Sequence, residues 1–148
     1  MKICTKCWKS SCEHSEYDYV EIDDAIVDII IELNLKGYDT TYCCSGHDNV
    51  PDQIYIGFNK WVLPKGFNPA PVLGKDWKWI ESTSIIKASV PKKIEIFRPS
   101  KKNPSVLVKD KRDFTVEESK IFLQERRKEL RDWVHSLEEN TANIYKKL

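Results

Sequence analysis

Apolar positions recur at helical spacing near both ends of this chain and alternate at strand spacing in between. Ile26, Ile29, Ile30 and Leu33 fall at steps of three and four, which predicts a helix over 22–36. Asp23 is its expected N-cap, and Gly37 lies just past its end. Residues 38–44, rich in Thr and Tyr, read as a strand, and 53–58 as the next, with Ile54, Ile56 and Phe58 on one side. The two predict a hairpin with a long loop.

Pro64, Gly66, Pro69, Pro71 and Gly74 punctuate 59–75, an irregular connector anchored by Trp61, Val62, Leu63 and Phe67. Residues 76–90 return to strand around a turn or bulge at Ser82, Thr83 and Ser84, and 92–98 is a further alternating strand. Thr115 and Glu118 form a capping box that opens one long helix over 116–146. Val116, Leu123, Leu130, Leu137 and Ile144 recur every seven residues there, widened by Trp133, Val134 and Leu148. That stripe could cover one face of the sheet, or pair with a second copy of the chain as a homodimer. The expected class is α+β. An antiparallel sheet of about four to six strands, an early helix and a long C-terminal helix follow an N-terminal zinc knuckle. The 148 residues are expected to form a single domain: a knuckle over 1–16, a core over 17–112 and the helix over 113–148.

Composition narrows the class. The hydrophobic fraction is 41% and the charged fraction 32%, which excludes a disordered chain. No apolar run approaches a membrane span, and the N-terminus lacks the apolar core of a signal peptide. A cytoplasmic, reducing location without membrane contact is therefore expected, where five cysteines suggest metal or chemistry before disulfides. The 19 lysines against 5 arginines hint at bacterial or phage origin through coding bias.

Charge is unevenly spread behind a net value of +1. Residues 13–32 hold eight carboxylates and no Lys or Arg, and Asp24, Asp28 and Glu32 line one helix face. Such a row can perform acid–base or magnesium chemistry, but is more commonly a solvated face. Residues 91–112 carry +6, with Lys101 and Lys102 in a plausible exposed loop. That segment could grip nucleic acid or a nucleotide through phosphates, or dock on the acidic helix.

Two clusters carry candidate chemistry. Cys4, Cys7, Cys12 and His14 have the spacing C-x2-C-x4-C-x-H. Zinc takes four thiolate or imidazole ligands at tetrahedral corners, and these four supply such a set, with Lys6 and Lys9 near to offset thiolate charge. Cys4 and Cys7 could alternatively team with Cys44 and His47. The second cluster is the turn Cys43, Cys44, Ser45, Gly46, His47. It could bind metal, hold an anion on backbone N–H groups and the Ser45 hydroxyl, or use a cysteine nucleophile with His47 as base. The bland alternative is a buried cysteine pair beside a surface histidine.

The passage ELNLKGYDTTYCCSGHDNVPDQIYIGF resembles a group of small, mostly uncharacterised bacterial and phage proteins. Their shared pattern is helix, Gly-Tyr, strand, Cys-Ser-Gly-His, strand, often after an N-terminal cysteine pair. The turn also resembles the Ser-Cys-Ser-Gly-Arg turn of the tRNA wybutosine-synthesis methyltransferase family. Cys44, Ser45 and Gly46 match it, while His47 stands in place of arginine and Cys43 in place of serine. That second resemblance implies an RNA-modifying site with Cys44, Ser45 and His47 as catalytic candidates. The residues themselves favour a non-catalytic zinc-binding module for nucleic acid or a nucleotide, with Ser45, Gly46, His47, Lys101 and Lys102 at the ligand. A phage-type protein that binds and inhibits a host protein partner is the third reading.

Overall fold

The structure, a computed structural model, describes residues 1–46 and 52–148. Its strands are β1 (Lys2–Cys4), β2 (Tyr19–Glu21), β3 (Thr40–Cys44), β4 (Gln53–Phe58), β5 (Lys78–Ile80), β6 (Ile85–Ser89), β7 (Lys93–Pro99) and β8 (Leu107–Asp113). Its helices are α1 (Val27–Leu35), α2 (Ala70–Leu73), α3 (Val116–Ser136) and α4 (Thr141–Lys146). Among the described residues all strand pairing is antiparallel, in a four-stranded sheet of order β3-β4-β6-β5 and two separate ribbons, β1-β2 and β7-β8. The class is α+β, as expected. No helix among the described residues is long and apolar enough to cross a membrane.

Alternation decides which face of the sheet is covered. Ile54 pairs with Ala88 and Ile56 with Ile86, and all four are buried. Their neighbours Tyr55 and Lys87 point to the other, wetter face. The buried face packs with Ile26, Ile29, Ile30 and Leu33 of the first helical stretch and with Leu123, Leu130, Trp133 and Val134 of α3. Each such side chain contributes roughly 1.5–3 kcal/mol by leaving water. Phe67 enters from the irregular connector, with its ring 5.5 Å from those of Tyr38, Phe58 and Trp79 and 6.2 Å from that of Trp133.

Three expectations need correction. The first helix begins at Val27, and Asp23 is not its cap. The Asp23 carboxylate instead accepts the Ser45 N–H at 3.1 Å and the Ser45 hydroxyl at 3.0 Å, while residues 23–26 turn into the helix.

The long C-terminal helix is two helices, broken at Leu137 to Asn140. Asn140 donates its backbone N–H to Lys36 O and its side-chain amide to Gly37 O and Val62 O, and Asn143 also donates to Gly37 O. The Lys36 and Gly37 carbonyls lie at the C-terminus of α1, where a helix leaves acceptors unsatisfied, and with Val62 O from the connector they compete successfully with helix continuation. The favour is returned, because Lys36 Nζ donates to Val134 O and His135 O at the end of α3.

The basic segment does not dock on the acidic helix. Residues 93–113 form the β7-β8 ribbon, and the carboxylates of the helix meet α3 instead. Arg131 pairs with Asp28 at 2.6 Å and His135 Nδ1 with Glu32 at 2.5 Å. The apolar stripe of α3 is likewise taken up within its own chain, by the sheet and α1.

Candidate metal centre

The β1-β2 ribbon builds the first cluster. Register sets Cys4 opposite Tyr19. After Cys4 the chain folds back on itself: the Trp8 N–H donates to Cys4 O at 2.8 Å, and the Cys4 N–H to Lys9 O at 3.0 Å. Trp8 takes a positive φ of 60° in this tight turn. Thr5 ties the turn to the end of β2's approach, with both its N–H and its hydroxyl on Asp18 O. The result brings Cys7 back beside Cys4, and carries Cys12 and His14 across to meet them.

The ligand atoms of Cys4, Cys7, Cys12 and His14 all lie within 4.8 Å of one another. His14 Nδ1 stands 3.5 Å from Cys4 Sγ and 3.3 Å from Cys12 Sγ. The edges of a tetrahedron with metal–sulfur bonds near 2.3 Å and metal–nitrogen bonds near 2.0 Å are about 3.5–3.8 Å long. The donor set is soft, three sulfurs and one imidazole, and its spacing fits a single ion. Cys4 is fully buried and His14 is exposed, so the cluster opens to solvent on the histidine side.

The surroundings suit a thiolate site. The Lys6 backbone N–H lies 3.4 Å from Cys4 Sγ, an amide donor of the kind that steadies a charged sulfur. The Tyr19 hydroxyl lies 3.1 Å from Cys12 Sγ and accepts the Cys12 N–H at 3.0 Å. That hydroxyl is the main reason the Cys12 thiol is held down at about 6, with the His14 backbone and ring also contributing. Desolvation pushes the Cys7 thiol up. The Lys6 ammonium is turned to Asp18, at 3.9 Å, rather than to the sulfurs. Tyr19 carries no sequence signal for this role, because its place comes from strand register.

The second cluster is held differently. None of the five cysteines is in a disulfide. Cys44 and Ser45 are buried, and neither belongs to the sulfur–imidazole group. The Ser45 N–H and hydroxyl, which an anion would need, are both engaged by Asp23. Arg127 of α3 donates to Ser45 O from the other side, from Nε at 2.9 Å and Nη2 at 2.6 Å. Gly46 has φ of 90° and sits so tightly against α3 that a Cβ there would lie 2.6 Å from Leu123 Cδ1. Burial pushes the Cys43 thiol up to about 11, so it stays protonated and weakly nucleophilic. Beside Cys43 a cavity of about 330 Å³ opens between β2, α1 and β3, with Trp8, Val20 and Tyr42 in its wall. His47 lies outside the described residues, so its place in either cluster is not part of this geometry.

Lys101 and Lys102 crown the turn at the tip of the β7-β8 ribbon. The turn is preformed: Ser100 N–H donates to Val106 O at 2.8 Å, and Val106 N–H to Asn103 O at 2.9 Å. Both lysines are exposed, far in sequence from the sulfur cluster and unconnected to it by any hydrogen bond or ion pair among the described residues.

No protein-family model, curated protein or solved structure matches this chain. What can be stated from the fold and the site is a small α+β protein with a three-cysteine, one-histidine group able to hold a metal ion.

Proposed function

We propose that this chain is a small zinc-binding protein whose metal is structural, and whose work is non-catalytic binding of nucleic acid through the basic β7-β8 ribbon. The observation that carries the metal half is the convergence of Cys4, Cys7, Cys12 and His14 within 4.8 Å. Three sulfurs and an imidazole favour zinc over harder cations, and four protein ligands leave no open position for a reacting water. Bound there, zinc supplies a cross-link that replaces a hydrophobic core in a segment with little of its own; Ile3 is its one fully buried aliphatic side chain. The binding half rests on exposed lysines held on a protruding hairpin. The inert Cys43 thiol and the internally satisfied Ser45 favour binding over cysteine catalysis at the neighbouring turn.

The test is metal content by mass spectrometry on untagged protein, with Cys7→Ser and Cys44→Ser alongside. One zinc per chain in the wild type and in Cys44→Ser, and none in Cys7→Ser, is the expected result. Wild-type protein without metal would sink the zinc reading. Loss of zinc in Cys44→Ser with an intact fold would place the second cluster in the metal shell. The binding half is tested by fluorescence anisotropy with labelled nucleic acid across a salt series. Wild-type binding that weakens as salt rises supports it, and no binding at low salt refutes it.

A further inference from the structure

The β7-β8 ribbon pairs over seven registered positions and, among the described residues, joins no other sheet. Seven residues of strand extend about 23 Å, roughly the width of a DNA duplex. The ribbon is fastened at its base. Arg112 there makes a two-pronged bond to Glu118 in the first turn of α3, at 2.6 and 2.9 Å, and Lys93 pairs with Asp113 at 3.0 Å.

Its two faces differ. Register and alternation put Ile94, Ile96, Arg98, Asp110 and Arg112 on one face, where Ile94, Ile96 and Asp110 are half-buried and Arg98 is paired with Asp110. The other face carries Phe97 opposite Lys109 and Pro99 opposite Leu107, with Lys111 two residues nearer the base opposite Glu95. Phe97 and Leu107 are each 64% exposed. An apolar group of this kind, displayed at the far half of an arm and rimmed by cations, marks a contact surface rather than a misplaced core.

Charge says what the contact is. Residues 93–113 carry net +4, so the rest of this +1 chain carries −3. Lys93, Arg98 and Arg112 are paired, whereas Lys101, Lys102, Lys109 and Lys111 have no carboxylate within 4 Å among the described residues. A polyanion is therefore drawn to the arm and repelled by the body. The exposed face offers lysines but no Arg, Asn or Gln to read base edges, so nothing on it provides for bidentate sequence recognition. What it does offer is the pairing of phosphate-binding cations with an apolar wedge. Proteins that kink duplex DNA from the minor groove insert Phe, Leu or Pro between base steps in this way.

We infer that the ribbon is a duplex-DNA-bending arm, in which Lys101, Lys102, Lys109 and Lys111 hold phosphates and Phe97, backed by Pro99 and Leu107, is the wedge. This rests on the nucleic-acid reading above and specifies its ligand and mode. Four phosphate contacts correspond to a slope of log K against log salt of about −4. Binding is insensitive to sequence, and the duplex is bent.

The experiment uses the zinc-loaded full chain and a duplex of 25 base pairs carrying a fluorophore at each end. Anisotropy reports binding across a salt series, and energy transfer between the ends reports bending. Wild-type protein is expected to bind and to raise energy transfer. Lys101→Ala with Lys102→Ala lowers the slope by about 2. Phe97→Ala, at an exposed position whose fold is checked by circular dichroism, abolishes the bend while keeping the slope. Salt-dependent duplex binding without a bend, or a bend unchanged in Phe97→Ala, overturns the wedge and leaves the nucleic-acid reading standing. Tighter binding to the same-length single strand overturns the duplex assignment in the same way. Absence of binding to either nucleic acid at low salt removes both, and capture by anionic phospholipid vesicles instead reassigns the arm to a membrane surface.

Discussion

Substituting Gly37 and Gly66 separately by alanine isolates the contact that locks α1 to α4. Both glycines have positive φ, 88° and 77°, so both pay the strain of a Cβ in the left-handed region. That strain is about 1–2 kcal/mol, offset by about 0.4–1 kcal/mol from the stiffer unfolded chain, for a net loss near 1 kcal/mol. Around Gly66 nothing among the described residues lies within 4 Å of the added Cβ, so no further cost arises. At Gly37 the Cβ would sit 2.8 Å from Asn140 O and 3.0 Å from Ile144 Cγ1. The first of these is backbone and cannot turn aside, so an overpacking cost of about 2 kcal/mol is added. Gly37→Ala should therefore lose about 3 kcal/mol and Gly66→Ala about 1 kcal/mol, or near 9 °C against near 3 °C in Tm for a chain of this size. Thermal unfolding followed by far-ultraviolet circular dichroism measures both. Equal losses in the two variants would refute the reasoning, because they would show that α4 does not close on the end of α1.

Phe67→Ala removes the ring shared by Tyr38, Phe58, Trp79 and Trp133, and should cost about 3 kcal/mol with a loss of near-ultraviolet dichroism; an unchanged near-ultraviolet spectrum would argue against that cluster. Asp23→Ala strands the Ser45 N–H and leaves the hydroxyl only Gly46 O, at 3.2 Å, so it should cost about 1–2 kcal/mol, with Asp23→Asn recovering part of it through its amide oxygen; equal denaturation midpoints for Asp23→Ala and wild type would count against the clamp. The Arg131 guanidinium holds the Asp28 carboxyl below its ordinary value of 3.8, so the pair's stabilisation is present above that pH and is lost as pH falls through the lower folded value. Both partners are substantially exposed, which limits the effect to about 1 kcal/mol or less. Urea midpoints of wild type and Asp28→Asn should differ near neutral pH and converge in strong acid, and a gap that persists in acid would show that charge is not its origin.

What could be read in the sequence was what is local. The α1 stripe is periodic within one element, and Ile26, Ile29, Ile30 and Leu33 are all buried. The sulfur–imidazole group spans eleven residues, so its spacing alone suggested convergence, and Thr115 with Glu118 forms its capping box as expected. Features set by distant partners were not visible. Asn140 is a cap-type residue close after Leu137, yet what makes it break the helix, the acceptors at residues 36 and 37, is remote in sequence. Residues 107–113 lack a one-sided apolar alternation, since both faces of β8 are largely exposed and its strand form comes from pairing with β7. Asp23 looked like a cap because caps are local, yet its partner lies 22 residues on, across the fold.

The mutual capping of α1 and the C-terminal helices bears on how the chain reaches this structure during synthesis. Its hydrogen bonds join residues 98 to 106 apart, from Lys36 with Val134 to Gly37 with Asn143. Closing a loop of that length costs about 4 kcal/mol, which no single bond repays, so these contacts form as a set. At about 5–20 residues per second, α1 leaves the ribosome roughly 5–20 s before the asparagines that cap it. Through that interval its C-terminal carbonyls have only water and the Gly37 turn to satisfy them. The nascent α1 is thus a frayed helix with an apolar stripe, and its completion waits until residues 134–143 arrive.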